Sequence, residues 1–161
     1  MTAGALMLVL GAAALAADHP AVKRAVDVPP PAELTYKIEA RQRGITLSGE
    51  ALLDWRADSA GYSISNIRAP SCWARSSETR SEGMLDEYGL APVQFNEKRF
   101  RKPPTTVTFD RAVKAMNFSD GEQAYALAGG EQDRSSVQFQ LASVARRRKN
   151  SWPVRNGSSS W

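Results

Sequence analysis

The stretch LTYKIEARQRGITLSGEALLDW, residues 34–55, decides the fold. Leu34, Tyr36, Ile38 and Ala40 alternate with Thr35, Lys37, Glu39 and Arg41. Ile45, Leu47, Gly49, Ala51, Leu53 and Trp55 then alternate with Thr46, Ser48, Glu50, Asp54 and Arg56, broken only by Leu52. A period of two over this length is that of half-buried strands, whose successive side chains point to opposite faces. One apolar and one wet face specify an antiparallel sheet, because parallel sheets are covered on both faces and read as continuous apolar runs. Arg41-Gln42-Arg43-Gly44 joins the two runs as a short hairpin.

The same alternation continues downstream. Asp58-Ser59-Ala60-Gly61 makes the next turn, Tyr62 and Ile64 keep the phase, and a slip at Asn66-Ile67 predicts a bulge. Residues 69–83 read as an exposed strand or a loop, followed by a turn within 84–90. Val93 and Phe95 open a strand that stops at Pro103-Pro104. Val107 and Phe109 face one way with Thr106, Thr108 and Asp110 the other, and Met116 and Phe118 belong to a last strand. Short strands punctuated by turn residues predict a mainly β fold: a curved antiparallel meander, an open half-barrel-like sheet. Beyond Gly129-Gly130 the period changes. Val137, Leu141 and Val144 recur at helical spacing, so a short helix over about 134–145, N-capped by Asp133, is expected to lay that stripe on the sheet.

The flanks are different in kind. Residues 1–17 are an apolar, uncharged run containing Ala14-Leu15-Ala16, which predicts an apolar helix serving as an export signal or a retained membrane anchor, although no Lys or Arg precedes it. Residues 18–33, with Pro29-Pro30-Pro31, read as a stiff proline-rich linker ahead of a β-rich domain over 34–145. Residues 146–161 read as a basic disordered tail. Taking its five cations from the 21 Lys and Arg leaves 16 bases against 17 acids, so residues 1–145 carry a net −1 although the chain carries +4. A near-neutral body sets nucleic acid aside as a partner.

Composition narrows the chemistry further. One cysteine, Cys72, allows neither an internal disulfide nor a cysteine zinc site, and one histidine, His19, lies ahead of the first strand. A Ser-His-Asp or Cys-His nucleophile is therefore not expected, and no metal or cofactor pattern stands out. Gly129-Gly130 lacks the Lys-Ser/Thr of a phosphate loop, and Asp86-Glu87 sits in a turn. Two candidate sites remain. The inward aromatic positions Tyr36, Trp55, Tyr62, Phe95, Phe109 and Phe118 either line an apolar binding cavity or fill the core. Lys98, Arg99 and Arg101, interleaved with Phe100, suit an anionic ligand, unless Glu78, Glu82 and Glu97 neutralise them. A carboxylate-dependent hydrolase would draw on Glu39, Glu50 or Glu97, which show no spacing that selects a pair.

Several of these motifs resemble a known family. Pro30-Pro31-Ala32-Glu33-Leu34-Thr35-Tyr36 leads into the first strand, and Gly89-Leu90-Ala91-Pro92 precedes Glu97-Lys98-Arg99-Phe100-Arg101. Gly129-Gly130-Glu131-Gln132-Asp133-Arg134 then precedes a helix containing Gln140-Leu141-Ala142. In that order they resemble the bacterial family called domain of unknown function 3108 over roughly residues 30–145. The resemblance implies an exported, periplasmic or inner-membrane-anchored envelope protein of unassigned activity, with no catalytic residues to carry over. It also implies further strands after the helix, where this chain has its basic tail, as a truncation would leave it. The expected function is a non-enzymatic module that binds a lipid, a peptide or a partner protein, with membrane association through residues 3–17. An unpaired edge and an uncovered apolar face would bring marginal stability, self-association or both.

Overall fold

Arg43 and Gly44 both have positive φ, 50° and 81°. That pairing makes the two-residue turn whose twist suits a hairpin, and Gly44 takes its left-handed conformation without a Cβ penalty. Strand β1 (Ala32–Gln42) therefore folds straight back on β2 (Ile45–Ala57), with Gln42 opposite Ile45 and Ala32 opposite Trp55. The computed structural model describes residues 21–70, 76–121 and 123–150. Over these, β3 (Tyr62–Pro70), β4 (Ser77–Asp86), β5 (Gly89–Arg99), β6 (Thr105–Asp110), β7 (Ala115–Phe118) and β8 (Tyr125–Ala126) follow in order. Each pairs antiparallel with its neighbours in sequence, giving one open eight-stranded meander. The Asp58 carboxylate closes the β2–β3 turn by accepting the N–H groups of Ala60 and Gly61 at 2.7 and 3.1 Å.

Two strand details correct the sequence expectation. Register is continuous through Asn66-Ile67, so no bulge lies there; the residue type changes while the backbone keeps its pleat. Asn66 takes the inner face, and Ile67 the outer one, where it opposes the phase-breaking Leu52. The shift falls instead between Glu82 and Gly83, against β5. Gly83 stands opposite Pro92, and a Cβ on Gly83 would lie 2.3 Å from the Ala91 carbonyl oxygen. Val93 is consequently turned out to solvent, while Phe95 is buried.

Helix α1 (Ser136–Asn150) lies on the sheet, and Asp133 is its N-cap as the sequence indicates. One carboxylate oxygen accepts the N–H groups of Ser135 and Ser136 at 2.7 and 2.9 Å, and the Asp133 N–H donates back to Ser136 Oγ. The other oxygen accepts the Ser81 hydroxyl at 2.6 Å, and Ser81 lies 3.3 Å from the Tyr62 hydroxyl. Burial pushes the Tyr62 hydroxyl far above its ordinary pKa, against the opposing pull of the Ser81 hydrogen bond. Of the expected stripe only Val144 is half-buried, and the rest faces away from the sheet. Val137 and Leu141 are 41% and 66% exposed, whereas Ser136, Phe139, Gln140 and Ser143 make the seated face. Gln140 bridges to β5 and the turn before it, accepting the Leu90 N–H at 2.8 Å and donating to the Tyr88 carbonyl at 2.7 Å. Gln132 adds a bond to the Leu90 carbonyl at 2.6 Å. A Cβ on Gly89 would sit 2.3 Å from the Gln140 amide, so this close approach requires glycine. The seat is mostly polar, which is why an apolar count points to the wrong side.

The core sits in two clusters under this face. Leu53, Trp55, Tyr62, Ile64 and Leu90 form the first, with Phe139 stacked on Trp55 at 4.1 Å between ring centroids. Phe95, Val107 and Phe109 form the second, flanked by Met116, Phe118 and Leu127.

The flanks also differ from expectation. The described part of the proline-rich segment is not a spacer but is packed on the body. The buried Trp55 indole N–H needs an acceptor and finds the Pro29 carbonyl at 3.0 Å, and Val28 packs on the first cluster. Backbone bonds from Arg24 to Glu87 and from Asp27 to Ser143 fasten the rest. At the other end Arg146, Arg147, Arg148, Lys149 and Asn150 are helix, not tail. Their charges suit the negative end of the helix dipole, and Asp27 receives Asn150 and Arg146 at 2.5 and 3.6 Å. The expected helix over residues 1–17, Cys72 and residues 151–161 lie outside the described residues. Among the described residues no helix is long and apolar enough to cross a membrane.

A paired substitution tests the helix orientation. Gln140→Ala strands the Leu90 N–H in a fully buried residue, and urea unfolding should register a loss of about 1–3 kcal/mol. Leu141→Ala on the exposed side should stay within about 0.5 kcal/mol. The reverse ranking would mean that the stripe, not Gln140, faces the sheet.

Candidate anion-binding groove

Register arranges the inner face of the sheet in rows. The first runs Trp55, Ile64, Ser81, Phe95, Val107 and Phe118, and it is the core under the helix. The next runs Leu34, Leu53, Asn66, Thr79, Glu97 and Thr105. The third runs Tyr36, Ala51, Arg68, Ser77 and Arg99. Polarity thus rises row by row, from a dry core to a basic margin beyond the helix N-terminus.

At that margin Arg68, Arg99, Arg101, Lys102 and Arg134 surround a groove of about 830 Å³, with the hydroxyls of Ser76 and Ser77 and a single carboxylate, Glu97. Glu97 is only 7% exposed and holds two of the five cations: Arg134 at 2.7 Å and Arg99 at 3.1 Å. Arg101 lies over the Phe100 ring at 4.9 Å. No ion pair engages Arg68, Arg101 or Lys102 among the described residues. Arg68 and Arg99 flank Ser77 in one row, about 10 Å apart at two strand spacings. Like charges at that separation are relieved by an anion placed between them, and guanidinium forks suit phosphate or carboxylate oxygens. Beside the groove, Asn66 Oδ1 is buried without a hydrogen-bond partner.

The structure redistributes the sequence candidates. Arg99 and Arg101 belong to the groove, and Lys98, on the opposite strand face across from Glu78, meets them in an adjoining groove that also holds Ile67 and Lys102. Glu82 pairs with Arg80 and not with the cluster. Lys102 follows Arg101 in the chain, whereas Arg68 and Arg134 come from separate segments that only the strand register and the helix cap bring to it. Of the aromatic candidates, Trp55, Tyr62, Phe95 and Phe109 are buried in the two clusters, where the helix and the segment around Val28 take the space, and Tyr62 also borders a shallow groove at the β2–β3 turn with Asp58 and Gly83. Phe118 packs at the margin of the second cluster, edge-on to Tyr125 at 5.7 Å. Tyr36 alone stays open, at 47% exposure, in a groove shared with Ile38, Leu53, Asn66, Arg68 and Gln138. Glu39 and Glu50 lie exposed on the outer face and Glu97 on the inner one, so these carboxylates do not converge. Gly129 abuts the Tyr88 ring, and the helix N-terminus is already occupied by Asp133.

Replacing Glu97 tests this assignment. Glu97→Gln removes the carboxylate shared by Arg99 and Arg134; denaturant unfolding should show a loss of about 1–2 kcal/mol, since both cations remain hydrated. Retention on a phosphate resin should rise at the same time, and unchanged retention would show that the groove does not meet anions.

No family model matches the chain, and no curated protein or solved structure is significantly similar to it.

Proposed function

We propose that this chain is a non-enzymatic module of the bacterial envelope, a curved half-barrel-like sheet, that binds an anionic amphiphile, its headgroup in the basic groove and its tail on the apolar margin of the sheet. The observation that carries this is Arg68. Its side chain borders both the basic groove and the open groove of Tyr36 and Ile38, so a charged and an apolar surface meet without a break. Leu34, Tyr36 and Ile38, at 41%, 47% and 37% exposure, extend that apolar surface along β1. Location in the envelope, behind an export signal or an anchor, is supported by the apolar run of residues 1–17 and by the family resemblance.

Vesicle co-sedimentation of the full chain tests the reading, with phosphatidylglycerol set against phosphatidylcholine. Each basic side chain near an anionic surface contributes about 1 kcal/mol, so Arg68→Glu with Arg99→Glu should cut the preference for anionic vesicles at least about tenfold. Arg41→Glu, away from the groove, should change it little. An equal loss in both variants would indicate diffuse charge attraction and would remove the groove from the account.

A further inference from the structure

The sheet has two edges of very different character. Strand β8 is two residues long, but β1 spans Ala32–Gln42 and has a neighbour on one side only among the described residues. Edges this long are normally blunted by charged side chains, proline, a bulge or a covering segment, because unpaired N–H and C=O groups template another strand. Strand β1 has no proline or bulge within it, and its charges alternate in sign, so that they repel some partners and pair with others. Its outer-face residues are Glu33, Thr35, Lys37, Glu39 and Arg41, a run of mixed sign.

We infer that β1 is a self-recognition edge that pairs antiparallel with β1 of a second copy, in the register that places Ile38 opposite itself. The hairpin sets the allowed registers. A two-residue turn makes Gln42–Ile45 a hydrogen-bonded pair, so even-numbered residues of β1 bond to β2 and odd-numbered ones point their backbone groups outward. A symmetric partner must match odd with odd, so the two-fold axis passes through a residue and not between two. Charge then chooses among the long registers. An axis at Tyr36 sets Glu33 against Glu39 in both halves, and an axis at Lys37 sets that lysine against itself. With the axis at Ile38, Lys37 faces Glu39 twice and Arg41 faces Thr35 twice, and no like charges meet. This register also keeps Tyr36 and Ile38 of both copies on one face, so the two apolar margins join into one. The inference stands apart from the anionic ligand, because it uses the backbone edge and the outer-face charges.

Charge reversal and its repair test the edge in the full chain. Sedimentation velocity should show a dimer. Lys37→Glu or Glu39→Lys alone should weaken it about tenfold or more, as two cross-strand pairs change sign, and the double exchange should restore it. In a Cys72→Ser background, Ile38→Cys should form an intermolecular disulfide under mild oxidation, while Lys37→Cys should not. A monomer throughout would overturn the inference. So would cross-linking at Lys37 in preference to Ile38, or a double exchange as weak as the single ones.

Discussion

The Asp133 carboxylate sits between sheet and helix, and most of the molecule's order passes through it. One oxygen terminates α1 by taking two orphan N–H groups, and the other reaches the sheet through Ser81, which in turn meets Tyr62. A buried carboxylate without such partners would be strongly destabilising. Here its bonds are made, and they fix where the helix begins as well as how it is rotated. Rotation puts Phe139 on Trp55 and Gln140 on the backbone around Leu90. The Trp55 indole then seats Pro29, so the segment before β1 is drawn into the same core.

That anchoring point also sets where the inner face is left open. The helix starts over the row that contains Glu97, and Arg134 immediately follows the cap. Rows beyond it are only partly covered by α1, which reaches them at Gln138. They carry Tyr36, Arg68 and Arg99, so the uncovered surface is apolar at the β1 side and basic at the β5 side. Polar seating of the helix and amphiphilic exposure of the margin are thus two consequences of one placement.

Much of this was legible in the residues. Alternation from Leu34 to Trp55 carried the hairpin, because a half-buried strand cannot hide its period, and Arg43-Gly44 carried the turn. Asp133 was recognisable as a cap from its position ahead of a helical run. The seated face of the helix was not recognisable, because Gln140 is selected by backbone partners at Leu90 and Tyr88, and the fully buried Ser136 and Ser143 by close approach, not by hydrophobicity. The groove was half legible. Arg99 and Arg101 lie together in the chain, whereas Arg68 and Arg134 reach them only through register and cap, and Lys98 meets them in the adjoining groove because neighbours in a strand diverge. Proline content suggested a stiff spacer, yet a proline carbonyl is as good an acceptor for a buried indole as any other.

The most direct test of the central claim is a double-mutant cycle between Asp133→Ala and Ser81→Ala, followed by equilibrium unfolding. Residues in one buried hydrogen-bonded network couple by about 0.5–3 kcal/mol, and a coupling of at least about 1 kcal/mol is expected for this bond of 2.6 Å. Additive losses, within about 0.5 kcal/mol, would contradict the account, because the cap and the sheet would then be stabilised independently.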